Sequence, residues 1–478
     1  MPIQFIDNSL IYKKKTRTVI RSHVAKGKNL GRTVHRPSRC PKKRQVASSI
    51  ISTTEPPSSE GPTFHHSQNL LESSPSIQRH LQEDLSTSLP FSVSWACRRL
   101  FHQLFAYVNA VPFPPELGKA VIHGRRPRPF LQFAFVDEAF FHCLVATSVA
   151  ASMPLSVTRQ ETTEAIYHLS RSLGLINKRL AGDTDIALSD ATIAVVISMS
   201  QHDRLLGNHR HALIHFEGLQ RLIALKGGIS VLVSDSPWVA QKAIRADFDF
   251  AIQFGSPTRF SVEYVPGKVT LDWLREKHKE TGVDFLDTRN IISCVDENLR
   301  RVFEDISTLA WLVNDSAVHG IKVDDYDFHD VLLLLGYRLL NVRPLNTPIE
   351  STNKLEPLLH LGLVALIDMF FLPLGLKPDG ALLTRCIASA TLEQHYDDKN
   401  SQELLLWLLF TGKTSVLRAP DDDIWLMPKI SHTASQLGLS TWHHVSQTLE
   451  KFPWVKVFAN DAAQRLWNKI HSFSSPLY

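Results

Sequence analysis

Few residues in this 478-residue chain stand at spacings that do chemistry. Gly412-Lys413-Thr414 matches the end of a phosphate-binding loop, in which backbone N–H groups and a lysine hold phosphate oxygens. That loop also needs a glycine five residues before Gly412, and Trp407 stands there. Two acidic runs, Asp324-Asp325-Tyr326-Asp327-Phe328 and Asp421-Asp422-Asp423-Ile424-Trp425, resemble carboxylate pairs that hold magnesium diphosphate from one helical turn. Phe328 and Trp425 replace the closing acid, so both runs read as solvated loops or helix N-termini, where acids suit the dipole. His202, His209, His211 and His215 crowd together, and His211 and His215 can present two nitrogens from one turn. No HExxH glutamate lies between them and no third ligand is near in sequence, so they read as surface or packing histidines. No G-x-S-x-G elbow, catalytic-cysteine signature or Gly-rich dinucleotide loop follows a strand. The expectation is a chain that is not an enzyme, with no catalytic residue, metal or cofactor.

The cysteines say little more. They lie at 40, 97, 143, 294 and 386, without a Cys-x-x-Cys, which favours free thiols in a reducing compartment. Charge is more informative. The first 44 residues carry 13 Lys or Arg against one acid, Asp7, whereas the remainder holds 39 basic and 46 acidic residues. The protein is therefore a mildly acidic body with a strongly basic arm. Lys13, Lys14, Lys15 and Arg17, with Lys42, Lys43 and Arg44, suit the acidic grooves of a nuclear-import receptor. The same side chains can meet DNA phosphates without sequence preference. An acid-poor arm around Val19, Ile20 and Val24 also fits a mitochondrial transit peptide. Nucleus is the first reading and mitochondrion the rival.

The elements that would position any site follow from patterning. Residues 1–46 form the basic arm and 47–92 a Ser/Thr/Pro-rich linker, both expected to be disordered because they cannot bury enough surface to offset ordering. From 93 to 478 the chain turns apolar and reads as one α-helical body. Ile166, Leu169, Leu173, Ile176 and Leu180 step by three and four along one helical face. Ser189 stands where an N-cap belongs, ahead of Ile193, Val195, Val196, Ile197 and Met199. A third helix carries Ala212, Leu213, Phe216, Leu219, Leu222 and Ile223 and stops at Lys226-Gly227-Gly228. Further helices are expected over 94–109, 135–151, 238–253, 287–313, 328–340, 355–371, 380–393, 401–411, 431–438 and 441–451. Val262–Val269 allows one short hairpin. The oily run Leu358 to Leu376 includes His360, Asp368 and Pro373, so it reads as a buried helix rather than a membrane span.

Several segments together resemble a known family. They are Ile176-Asn177-Lys178-Arg179-Leu180, Leu188-Ser189-Asp190-Ala191-Thr192-Ile193, Gly218-Leu219-Gln220-Arg221-Leu222 and Leu225-Lys226-Gly227-Gly228. Arg245-Ala246-Asp247 follows, with Phe254-Gly255-Ser256-Pro257-Thr258-Arg259-Phe260 behind it. Leu404-Leu405-Leu406-Trp407-Leu408-Leu409, Phe452-Pro453-Trp454 and Leu466-Trp467 close the series, and Phe5 with Ile20-Arg21-Ser22-His23-Val24 opens it. In this order they resemble the middle-homology regulatory domain of fungal-specific transcription factors, in the branch called fungal transcription factor domain 2. The resemblance implies an all-α regulatory body, a nuclear role in transcription, and partners among the transcriptional machinery, other regulators and an import receptor. Membrane partners are not implied, and homo- or heterodimer formation stays open. The family's Zn2Cys6 reader needs six clustered cysteines, and only Cys40 lies near the N-terminus. No zinc ligand or base-contacting residue is therefore carried over, and any DNA contact is expected to be nonspecific. The alternative is an α-helical metabolic enzyme with a mitochondrial leader and a cavity lined by Trp407, Phe370 and Phe371.

Overall fold

Short polar side chains set the helix starts. Ser189 accepts the N–H of Thr192 at 3.3 Å, and Asp296, Asp324, Asp398 and Thr441 each cap a helix in the same way. Each satisfies a donor that helix geometry leaves orphaned, worth about 1 kcal/mol per cap. The computed structural model describes residues 94–95, 98–99, 101–102, 115–122, 129–151, 163–282, 289–347, 353–371, 381–392, 395–417 and 419–474. The arm and linker expected over 1–46 and 47–92 lie outside them.

The elements run α1 (Pro129–Val136), α2 (Glu138–Ala151), α3 (Thr163–Leu180), α4 (Thr184–Ala187), α5 (Asp190–Leu205) and α6 (His209–Leu225). Next come α7 (Ile229–Asp235), α8 (Pro237–Phe254), α9 (Lys268–Glu280), α10 (Arg289–Ile292), α11 (Glu297–His319) and α12 (Asp325–Val342). The chain continues through α13 (Leu355–Phe370), α14 (Ala381–Leu392), α15 (Lys399–Ser415), α16 (Asp422–Gln436), α17 (Trp442–Leu449) and α18 (Lys456–Ser474). Two short strands, β1 (Val121–Ile122) and β2 (Val323–Asp324), pair in parallel, Val121 opposite Val323. The fold is all-α.

Helix α2 packs on α3 and α5, and α5 on α6. Helix α8 lies against α5, α12 and α14, and so ties this first group to the second. The second is organised around α13 and α15, with α16, α17 and α18 on α15. Every residue of α13 from Pro357 to Phe370 is buried, which explains why its sequence lacks a polar face. Its Gly362 meets the ring of Trp407 on α15 at a distance that leaves no room for a Cβ. Trp407 is fully buried, stacks on Phe452 and donates its indole N–H to the Pro453 carbonyl at 3.0 Å. Among the described residues no helix is long and apolar enough to cross a membrane.

Several expectations need correction. The inward face of α3 is Ala165, His168, Ser172 and Ile176, whereas Ile166 and Leu180 are 45% and 41% exposed. Small residues let α2 approach: Ser172 donates to the Ala139 carbonyl at 2.7 Å, and the Nδ1 atoms of His168 and His142 meet at 2.7 Å. Of the expected stripe, Ile176 is buried and Leu169 and Leu173 pack half-buried against the core, while Ile166 and Leu180 lie at its exposed edge. Val262–Val269 holds no hairpin, because Val262–Tyr264 is a 3-10 turn capped by Ser261 and α9 starts at Lys268. The helix expected over 135–151 breaks at Asp137, which caps the N–H of Phe140 at 2.8 Å. Similarly, 287–313 divides into α10 and α11, with Asp296 capping the second.

The Gly362–Trp407 contact yields a paired test. Gly362→Val is expected to lower stability by about 1–3 kcal/mol through overpacking. Gly174→Ala, whose added Cβ meets nothing within 4 Å, is expected to raise it by roughly 0.5–1 kcal/mol. Urea unfolding followed by circular dichroism measures both, and a tolerated valine at 362 would refute the close approach.

Candidate functional site

Two of the segments that carry the family resemblance, Arg245–Asp247 and Phe254–Phe260, meet at one buried carboxylate. Asp247, on α8, accepts the N–H of Arg259 at 2.8 Å, the N–H of Phe260 at 2.9 Å and the hydroxyl of Tyr337 at 2.7 Å. Burial lifts the Asp247 carboxyl above its ordinary range, and these donors, which favour the charged form, offset part of that rise. Tyr337 keeps its proton because burial and the neighbouring Asp247 charge push the phenol well up. Two residues along α8, Asp249 accepts from Arg245 at 2.8 Å and from Arg204 of α5 at 2.7 Å. Burial alone would raise Asp249, but the two guanidiniums outweigh it and hold the carboxyl low. Arg245 also lies 4.0 Å over the Phe371 ring and donates to the Phe371 carbonyl at 3.1 Å. Lys226 reaches back to Asp190 at 2.9 Å and to the Leu188 carbonyl at 3.1 Å. These motif residues specify packing.

What the Asp247 node positions is a cavity. The turn it anchors begins at Gly255, whose φ of 68° is left-handed. The Gly255 carbonyl accepts the N–H of Asn346 at 3.2 Å, and a Cβ at 255 would press on Asn346 N at 2.8 Å and Leu382 at 2.7 Å. The 343–347 turn is thus seated against the motif segment, with α14 beside it. Between this turn, the start of α13 and α14 lies a cavity of about 320 Å³. Leu345, Leu361, Pro344 and Pro357 form apolar wall, and Arg343 and Arg385 bring two positive charges. His360, Cys386 and Ser389 complete the polar part.

The chemistry of these groups is constrained. His360 Nε2 lies 3.0 Å from the Leu339 carbonyl, and a carbonyl only accepts, so Nε2 carries the hydrogen. Burial pulls the imidazole down to about 4, leaving it neutral with Nδ1 as an acceptor. Cys386 donates weakly to the Leu345 carbonyl at 3.5 Å. Burial raises its thiol pKa, while Arg385 and Arg343 pull it back. Arg343 also donates to the Thr347 carbonyl at 3.2 Å. Arg385 is exposed, and among the described residues no carboxylate pairs with it. Among the described residues no hydrogen bond joins His360 to Cys386 or Ser389.

A family profile described as fungal specific transcription factor domain matches residues 127–404. The chain belongs to that family. Neither a curated protein nor a solved structure matches it. The matched span begins just before α1 and ends within α15, so it takes in the Asp247 node and the whole cavity wall. The family is one of transcription factors, which points away from an enzyme.

The residues singled out from sequence end in different places. Lys13, Lys14, Lys15, Arg17, Lys42, Lys43 and Arg44 lie outside the described residues. Gly412-Lys413-Thr414 is helical, the end of α15 rather than a loop, and Lys413 pairs with Asp423. Asp324 caps α12, accepting from Tyr326 at 3.0 Å, and Asp422 accepts from Ala419 at 3.0 Å at the start of α16. His215 pairs with Asp203 at 3.3 Å while His211 is exposed. Among the described residues no three His, Cys, Asp or Glu form a metal-holding group. Trp407, Phe370 and Phe371 do not line this cavity: Phe370 packs on Phe328 and Phe458, and Phe371 on Phe248. Sequence reasoning missed Arg343 and Arg385, because residues 42 positions apart carry no local signal. A second, open concavity of about 630 Å³ runs beside β2 along Val269, Trp273 and Lys322.

The neutral state of His360 has a pH consequence. A base with a depressed folded pKa contributes stability that is full above its ordinary 6.5 and lost as pH falls toward about 4. Wild type is expected to lose about 2 kcal/mol more than His360→Gln over that window. Urea midpoints across the pH series check this, and parallel curves would contradict the burial of a neutral ring.

Proposed function

We propose that this protein is a nuclear regulator of transcription whose α-helical body receives an input and whose basic arm supplies the address. The observation that carries the reading is the family match across the body, coinciding with a fold held by the matched segments themselves. The charge division supports the rest: a basic arm beside an acidic body suits import receptors and polyanions. With five widely spaced cysteines the chain does not assemble a six-cysteine cluster, so promoters are reached through partner proteins. DNA contact is through phosphates and adds affinity without sequence preference. The cavity between α12, α13 and α14 is the body's input site. Partners are other regulators or the transcriptional machinery, and a like or unlike chain serves as dimer partner.

Imaging of the tagged full chain is expected to show nuclear signal that falls when residues 1–46 are deleted or Lys42, Lys43 and Arg44 become alanine. Chromatin immunoprecipitation is expected to recover promoters with protein–protein crosslinking and to lose most of them without it. A cytosolic or mitochondrial full chain, or transcripts unchanged in a deletion strain, would overturn the proposal.

A further inference from the structure

The cavity at the α12–α13 turn carries one acceptor that the protein itself leaves without a donor. His360 is 3% exposed, and the Leu339 carbonyl holds its Nε2–H at 3.0 Å, which fixes Nδ1 as a bare acceptor. Among the described residues Nδ1 has no partner, and it is not sealed from open space. With the rest of the ring buried, that space is the cavity whose wall His360 forms. Water can give Nδ1 a hydrogen, but water gains nothing from the apolar wall of Pro344, Leu345, Pro357 and Leu361. A ligand that reproduces the water's bond and also covers this wall displaces it with a net gain.

We infer, resting on the reading of the cavity as the body's input site, that its occupant is a small neutral hydroxyl compound, a phenol or an alcohol. Its O–H donates to His360 Nδ1 and its apolar body lies on Leu345 and Leu361. A carboxylate has no hydrogen to give at neutral pH, so it leaves Nδ1 unmet. An ether only accepts and fails in the same way. An ammonium donates, but it loses hydration to stand beside the Arg385 guanidinium, where like charges repel. The ligand oxygen can in turn accept from Ser389 on the α14 wall, whose hydroxyl has no other partner among the described residues. A volume of about 320 Å³ falls at the small end of small-molecule sites and suits a single-ring body. Held on His360, Leu345 and Ser389, such a molecule bridges α13, the 343–347 turn and α14.

The test uses purified full-length protein with para-propylphenol, para-propylanisole, propylbenzene and para-propylbenzoate as probes of one shape. Calorimetry gives the affinities. Cys386, on the cavity wall, reports location through its rate of reaction with a methanethiosulfonate reagent, read peptide by peptide in a mass spectrometer. Exposed Cys294 serves as internal control. The phenol is expected to bind about tenfold more tightly than each of the other three, because they leave a buried acceptor unpaired. At about four times its Kd it is expected to slow Cys386 labelling about fivefold, with Cys294 unchanged. Ser389→Leu, which fills the cavity from α14, is expected to abolish binding. His360→Phe is expected to bring the phenol and the anisole to equal affinity, and circular dichroism checks that each variant is folded. Where a variant does not fold, the wild-type ranking of the probes decides. An anisole or benzoate that binds as tightly as the phenol, binding without protection of Cys386, or a folded Ser389→Leu that still binds each overturns the inference. So does the absence of phenol binding. Those outcomes leave promoter occupancy untouched, whereas phenol binding in a protein that never reaches chromatin removes the transcriptional reading and keeps the ligand.

Discussion

A carboxylate taken out of water is stable only where donors replace its hydration, and Asp247 is the place where this fold meets that requirement. Its donors come from two separate stretches of chain, the Arg259–Phe260 backbone and the Tyr337 hydroxyl. Removing any one leaves a buried charge short of a partner, which is a larger loss than the net gain from the bond itself. The node therefore couples α8, the turn after it and α12 in one arrangement. The Arg204–Asp249–Arg245 group, centred two residues further along α8, extends the same coupling to α5 and to the end of α13.

From that arrangement the cavity follows by steric necessity. Gly255 is pressed between Asn346 and Leu382, so the 343–347 turn and α14 are fixed relative to the motif segment. Arg343 leaves the end of α12 at this turn, and Arg385 faces it from α14. Arg343 donates to the Thr347 carbonyl, and Arg385 is exposed.

How much of this the sequence carried depends on the kind of signal. Helix class and caps were legible, because Ser189 and the acids of Asp324 and Asp422 act on backbone within four residues. The motif segments were legible as fold-specifying, and Lys226 with Asp190 performs that role. The inward face of α3 was read only in part: Ile176, Leu169 and Leu173 do meet the core, but large aliphatics dominate periodicity and hide the contact made by Ala165 and Ser172. Helix α18 went unrecognised for a related reason: its buried side begins with Ala459 and Ala463, small residues that dilute an apolar stripe. The cavity was not legible at all, since its charged residues come from different helices and only tertiary packing brings them together.

The Asp247 node is expected to hold the cavity wall in place. Hydrogen exchange on Tyr337→Phe tests it most directly, because that substitution removes one donor and leaves the ring's volume. Faster exchange is expected at the amides of Arg259, Phe260 and Asn346, with the α13–α15 core as protected as in wild type. Unchanged exchange at those three amides, or a uniform loss of protection across the body, would contradict it.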